Sequence, residues 1–176
     1  MEIWNEARGI KAPATIKIKI ELIGGIKLAK TDLYLAYGSN LNLDQMKYRC
    51  PTARVIGKSK LENYKIVFRG TYRGGVATIE KCEGFYVPVL IWKITSQDEK
   101  SLDVYEGWPR FYRKEYFSME FDGKFKKVMA YIMNEGHPKN YPSRAYLKTI
   151  LDGYITAHFD KKVLSRAIYD LCKNDT

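Results

Sequence analysis

The sequence predicts an α+β domain, and three observations carry that assignment. Up to Met133 several segments, Leu33–Tyr37, Phe111–Phe121 and Lys124–Met133 among them, alternate apolar and polar residues with a period of two, and glycine and proline break the runs between strands. From Ser143 onward the period lengthens to a helical one, with Tyr146, Ile150, Tyr154 and Ala157 in one stripe. The 176 residues, 45% of them hydrophobic, suffice for one compact domain with a real core. A strand-rich order with three or four helices then gives α+β.

In chain order, Ala12 to Glu21 alternates isoleucine with lysine as a strand would, and Gly24-Gly25 breaks it. Leu33, Leu35 and Tyr37 alternate with Tyr34 and Ala36, a short buried strand that runs without a spacer into Gly38-Ser39-Asn40. Gly38 admits a positive φ and close approach to the backbone. Asn42, followed three residues later by Gln45, reads as the N-cap of a helix through Leu43, Met46 and Cys50, which Pro51 ends. Ala53 to Lys60 and Tyr64 to Arg69 read as two adjacent strands, Gly70 to Gly75 as a loop, and Val76 to Glu80 as a short strand. Tyr86 to Ile94 reads as a longer strand whose Pro88 suggests an edge or a bulge. Ser96 and Glu99 have the S-x-x-E form of a capping box and open a helix of about two turns, with Leu102 and Tyr105 on its buried face and Gly107 as its stop. Phe111 to Phe121 and Lys124 to Met133 flank Asp122-Gly123, a two-residue hairpin signal. Ser143 to Phe159 and Asp160 to Cys172 close the chain as amphipathic helices.

Composition narrows the function classes. No segment reaches the ~18 consecutive apolar residues of a membrane span, and no charged-then-apolar leader opens the chain. Three cysteines, Cys50, Cys82 and Cys172, are odd in number and far apart. They read as free thiols of a reducing, cytoplasmic protein rather than a disulfide frame or zinc site. With only His137 and His158 available, a histidine-centred metal cluster is not expected, and neither a metal nor an organic cofactor is predicted. The net charge of +10 invites a nucleic-acid reading. The lysines are spread along the chain, as at Lys17-Lys19 and Lys124-Lys126, without a recognition motif, so a solvated basic surface is the better account. A small-molecule substrate, no nucleic acid or membrane partner, and a monomer or homodimer are the resulting expectations.

The Tyr37-Gly38-Ser39-Asn40-Leu41 stretch is followed by Gln45-Met46 and by Arg49-Cys50-Pro51. Gly74 to Ile79 then reads G-G-x-A-T-I, Val87 to Ile94 carries a V-x-V-x-x-W-x-I strand, and Leu102 to Gly107 reads L-D-x-Y-E-G with Phe111 and Tyr112 after it. In this order and spacing the chain resembles the gamma-glutamylcyclotransferase-like superfamily, which includes the bacterial gamma-glutamylcyclotransferase and AIG2-like proteins. The resemblance covers roughly residues 33 to 160. It implies a small mixed β-barrel surrounded by helices, with the Tyr-Gly-Ser-Asn loop at its mouth. Because such proteins begin only a few residues before that loop, residues 1–30 read as an N-terminal extension, expected to pack poorly, and 31–172 as the domain.

Glu106 is the acid–base candidate on physical grounds. It falls in the last turn of a helix, where the macrodipole disfavours a carboxylate, and Tyr105, Trp108, Pro109 and Phe111 crowd it with apolar surface. Both effects raise its pKa; the plainer alternative is a solvated helix-end glutamate. In similar proteins the glutamate of this E-G pair is catalytic. The implied reaction is cyclisation of a γ-glutamyl amide to 5-oxoproline, an acyl transfer of glutathione metabolism that releases a free amine or amino acid. The resemblance leaves open a relative acting on γ-glutamylamines, or one removing a γ-glutamyl group within a biosynthetic pathway. A non-catalytic ligand-binding protein of the same fold is the reading from another class. Gly38, Ser39 and Asn40 would hold the substrate through backbone N–H groups, on either its α-carboxylate or the oxyanion. Tyr37, Tyr112, Tyr131 and Tyr146 match positions where related enzymes line the pocket; without the resemblance each is ordinary core or rim among fourteen tyrosines. Arg110 and Arg113 are candidates for a substrate carboxylate or, equally, part of a basic strand surface. Trp108-Pro109 departs from the pattern after E-G and leaves the leaving group open.

Overall fold

The computed structural model describes residues 31–71, 74–121 and 123–173. The extension at residues 1–30 lies outside them. Five strands and four helices follow in the order β1 (Thr31–Ala36), α1 (Leu43–Arg49), β2 (Arg54–Thr71), β3 (Gly74–Thr95), α2 (Ser96–Glu106), β4 (Tyr112–Phe121), β5 (Lys124–Met133), α3 (Arg144–Thr156) and α4 (Lys161–Cys172). A single 3-10 turn, Ser39–Leu41, joins β1 to α1. The strands form one sheet in the order β2-β3-β1-β5-β4, with β1 and β5 parallel and every other pair antiparallel. The class is α+β, as expected.

The barrel is a curled, open sheet. Its edges are β2 and β4, and no hydrogen-bonded ladder joins them among the described residues. The curl is nevertheless tight enough for the Tyr64 and Phe117 rings to meet edge-on across the gap, centroids 5.7 Å apart. Two structural causes of the curl are register shifts in the β2–β3 ladder, between Val55 and Gly57 and between Glu62 and Tyr64. These same irregularities make the sequence look like separate short strands. Ala53–Lys60 and Tyr64–Arg69 are one strand, and Val76–Glu80 and Tyr86–Ile94 are another, 22 residues long. Gly70 and Gly75, expected in a loop, are paired across the hairpin. Pro88 sits in an interior strand, but two residues beyond the Ala36–Leu90 end of the β1 ladder, where a missing N–H removes no bond to β1.

Helix α2 starts one residue earlier than the S-x-x-E pattern implies. Thr95, still extended, is the N-cap, and its capping box closes on Asp98 rather than Ser96 on Glu99. Thr52 also donates to the buried Asp98 carboxylate, so the cap ties α2 to the turn after α1. The helix runs 11 residues, longer than two turns, and ends at Gly107 in the left-handed region, φ 65°. The remaining caps are Asn42 on the Gln45 amide, Ser143 on that of Tyr146 and Asp160 on that of Lys162. The core comprises Leu35, Phe68, Val87, Val89, Ile94, Val128, Ile150 and Tyr154, all fully buried. Helix α3 packs on the 3-10 turn so closely that a Cβ at Gly153 would lie 2.6 Å from the Leu41 Cβ. No helix among the described residues is long and apolar enough to cross a membrane.

Candidate active site

The last residue of α2 is Glu106, and the chain N-terminal to α1 reaches its carboxyl. Asn40 donates from Nδ2 both to Glu106 Oε1, at 2.9 Å, and to the Tyr34 hydroxyl, at 2.8 Å. Its other amide atom, Oδ1, accepts from Arg49 Nη1 at 2.6 Å. Arg49 Cζ lies over the Tyr105 ring, 3.6 Å from its centroid, and the Tyr105 hydroxyl bonds the Ser39 hydroxyl at 3.0 Å. Ser39 and Asn40 are buried, 6% and 3% exposed, under α3 rather than at an open mouth. Glu106 keeps some accessible surface, yet its carboxyl is hemmed in by protein, and that burial raises its pKa from 4.5 to about 7. Arg49 and the Asn40 hydrogen bond pull the other way and limit the rise.

Of the four neighbours expected to crowd Glu106, Phe111 is half-buried and the other three, Tyr105, Trp108 and Pro109, face solvent. Tyr105 is 43% exposed and Trp108 46%. The groups that share the carboxyl's surroundings come from elsewhere in the fold: Tyr34 and Tyr37 from β1, Tyr112 from β4, Tyr131 from β5 and Tyr146 from α3. Burial pushes all five phenols above their ordinary range, so they stay neutral hydroxyls.

Of the expected residues, Asn40 bonds this carboxyl, Tyr37, Tyr112 and Tyr146 feel its charge, and Gly38 and Ser39 adjoin them beside Tyr146 and Tyr105. The Ala77 peptide joins them: its N–H donates to the Tyr146 hydroxyl at 3.1 Å and its carbonyl accepts from Tyr112 at 2.7 Å. Tyr37 donates to the Tyr131 carbonyl at 2.6 Å. Tyr131 joins only by its ring, because its hydroxyl donates to Asp103 in an ion-pair cluster with Lys114. Gly38 has φ −111°, not a positive value, so its requirement is space: a Cβ would meet Ala77 Cβ at 3.3 Å and the Tyr146 hydroxyl at 3.7 Å. The Ser39 and Asn40 amides open the 3-10 turn, while those of Leu41 and Asn42 close it on the Gly38 and Ser39 carbonyls. Arg113 is held by Glu115 and the Met133 carbonyl, and Arg110 is exposed.

Sequence reasoning did not single out Arg49, nor the contacts of Tyr34 and Tyr105. Arg49 stands in the R-C-P motif, which was the available signal. A separate cavity of about 560 Å³ is lined by Arg69, Thr78, Glu80, Arg113, Glu115 and His137 among others, and does not include Glu106. Its arginines are satisfied by Glu80, Glu115 and backbone carbonyls. Shifted proton affinity and the Arg49–Asn40–Glu106 hydrogen-bond chain therefore mark the Glu106 cluster, not that cavity, as the candidate site.

The fold is a curled sheet with helices around it, and its candidate site is a helix-end carboxyl held by a Tyr-Gly-Ser-Asn turn. The chain matches the family described as Gamma-glutamyl cyclotransferase, AIG2-like, over residues 34–149, and it belongs to that family. It is 35% identical over 82 residues to the gamma-glutamylcyclotransferases of Homo sapiens and Bos taurus, covering 43% of this chain and 44% of each relative. The chain thus spans less than half the length of these curated relatives. Among solved structures it is similar to a gamma-glutamyl cyclotransferase, with TM-score 0.69 and 26% identity, over 78% of this chain and 86% of that one. A human protein described as uncharacterised gives TM-score 0.68 at 27% identity over the same shares. YkqA of Bacillus subtilis, 17% identical with TM-score 0.66, covers 80% of this chain and 54% of its own, and shares the fold.

Proposed function

We propose that the protein is a γ-glutamyl cyclotransferase, converting a γ-glutamyl amino acid or amine into 5-oxoproline and a free amine. The observation that carries this reading is a buried glutamate whose pKa, about 7, equips it both to take and to return a proton at neutral pH. The substrate's α-amine is an ammonium at that pH. The Glu106 carboxylate removes one proton, and the freed nitrogen attacks the γ-carbonyl carbon to close a five-membered ring. The tetrahedral oxyanion then collapses, the bond to the leaving nitrogen breaks as that nitrogen takes the proton from Glu106, and the ring nitrogen gives its second proton to the freed carboxylate, which passes it to the departing amine. The nucleophile is part of the substrate, so no serine, cysteine, water or cofactor enters the balance.

The 3-10 turn supports the reading as an N–H donor set beside this carboxyl, suited to the substrate carboxylate or the oxyanion; a preorganised oxyanion donor is typically worth ~3 kcal/mol of barrier. Tyr37, Tyr112 and Tyr146, neutral and fixed by backbone partners, wall the glutamyl end. The deciding experiment presents γ-glutamyl amino acids, γ-glutamylamines and glutathione to the protein and measures 5-oxoproline. Release from one of these classes, lost in Glu106→Gln, is expected. No 5-oxoproline from any of them would leave a binding protein of the same fold.

A further inference from the structure

We propose that Arg49 is the positioning residue of this site, fixing which way the Asn40 amide faces and so holding a hydrogen-bond donor, with a cation behind it, against Glu106. The geometry is a three-residue chain: Arg49 Nη1 to Asn40 Oδ1 at 2.6 Å, then Asn40 Nδ2 to Glu106 Oε1 at 2.9 Å. An asparagine amide has a donor end and an acceptor end of nearly the same shape. Here the donor end uses both hydrogens, one on Glu106 and one on the Tyr34 hydroxyl. A flip would instead aim Oδ1 at a carboxylate and waste a donor on the guanidinium. Arg49, which has donors only, forbids it.

Arg49 is itself held in place. Its second nitrogen donates to Gln45 Oε1 at 2.7 Å, its Cζ lies over the Tyr105 ring, and it ends α1, where a cation complements the helix dipole. The groups facing Glu106 from the packed elements are Tyr34 and Tyr37, Tyr112, Tyr131, Tyr146 and Arg49. The tyrosines are neutral across the working range, so of these groups only Arg49 brings charge. The guanidinium lowers the proton affinity of the carboxyl against the burial that raises it.

The kinetic half of the test rests on the proposed cyclotransferase activity; the spectroscopic half does not. Protein labelled at glutamate carboxyl carbons is titrated by NMR, the Glu106 signal being assigned by its loss in Glu106→Gln. In Arg49→Met, which keeps an apolar stem over Tyr105 but removes charge and donors, the Glu106 midpoint should rise by about one unit, a tenfold change in proton affinity. The rising limb of kcat/KM against pH should move by the same amount, so that most of the activity lost at pH 6.5 returns by pH 9. Arg49→Lys, which keeps a cation but not the planar fork, should fall between wild type and Arg49→Met in both readouts. An unmoved Glu106 midpoint overturns the proposal, as does a loss of activity that is uniform with pH. If Arg49→Met does not fold, Arg49→Lys decides alone, and a midpoint equal to wild type overturns it. Absence of 5-oxoproline from the wild type would sink the cyclotransferase reading and still leave the titration to judge Arg49.

Discussion

Replacing Glu106 by glutamine should abolish turnover and, at the same time, stabilise the fold at alkaline pH. The folded chain holds the Glu106 proton with a pKa of about 7, against 4.5 for the solvated group, because burial disfavours the charge. Below pH 4.5 both folded and unfolded chains carry the proton, and the residue makes no difference between them. Between 4.5 and 7 the unfolded chain ionises first, so the folded chain binds more protons and stability falls as pH rises. Above 7 both are ionised and the full penalty remains. A difference of 2.5 units, from 4.5 to about 7, corresponds to about 3 kcal/mol, and the solvent contact that Glu106 retains reduces this to about 2 kcal/mol. Glutamine is neutral throughout and can still accept from Asn40. Urea unfolding of both proteins at intervals from pH 4 to pH 9 isolates the effect, since other titrating groups cancel in the difference. Relative to wild type, the variant should gain about 2 kcal/mol across that range, with 5-oxoproline release down by about two to four orders of magnitude at every pH. A stability difference that does not change with pH would refute the buried, raised carboxyl. Wild-type turnover in the variant would refute its role in proton transfer.

Gly38→Val should lower kcat/KM far more than Ser39→Ala, and should also lose about 1–3 kcal/mol of stability, because its γ-carbons must displace Ala77 or Tyr146. Ser39→Ala removes one hydroxyl bond to Tyr105 and should cost about 1 kcal/mol with a mild kinetic effect; equal kinetic damage from both would make the Ser39 hydroxyl a substrate ligand. Gly153→Ala should lower the melting temperature clearly, since its methyl would collide with Leu41, and an unchanged melting curve would show that α3 can shift away from the 3-10 turn. A chain beginning at Ala29 should fold and turn over like the full chain, because the family match begins at residue 34; a large drop in melting temperature would show that residues before it support the sheet.

What the sequence made visible is the local part of this architecture. Side chains at Asn42, Ser143 and Asp160 cap their own helices within two or three residues, and Gly107 turns the chain at the one conformation its α2 stop requires. Strand breaks misled where a bulge imitates a turn. At Asn63, with φ 61°, the alternation is interrupted while β2 continues through it. The Thr95–Asp98 cap also escaped a pattern search, because Thr95 reads as the last strand residue and Asp98 is fixed by a partner, Thr52, from another part of the chain. Tyr105 was assigned to the buried face three residues from Leu102, but the two diverge: Leu102 is fully buried and Tyr105 lies outside, supporting Arg49.

The motifs point to the candidate site, yet its physics is non-local. Asn40 and Glu106 are 66 residues apart, and no spacing rule links them. Expectation placed the function of Gly38-Ser39-Asn40 in backbone amides, whereas the contact with the acid–base candidate is made by the Asn40 side chain. The neighbours expected to bury Glu106 adjoin it in sequence, whereas the phenols that feel its charge stand on β1, β4, β5 and α3. The resulting proton affinity is a balance in which one large effect raises it and two smaller ones, from Arg49 and Asn40, lower it. Such a balance sits near neutrality only while all three effects are present. Admitting water around the tyrosines would let the carboxyl fall toward 4.5, leaving a base too weak to take a proton from an ammonium. Removing Arg49 would carry it upward, leaving too little carboxylate at neutral pH. The neutral midpoint is therefore a property of the whole shell rather than of the E-G pair, and a variant anywhere in that shell is expected to shift it without touching the carboxyl itself.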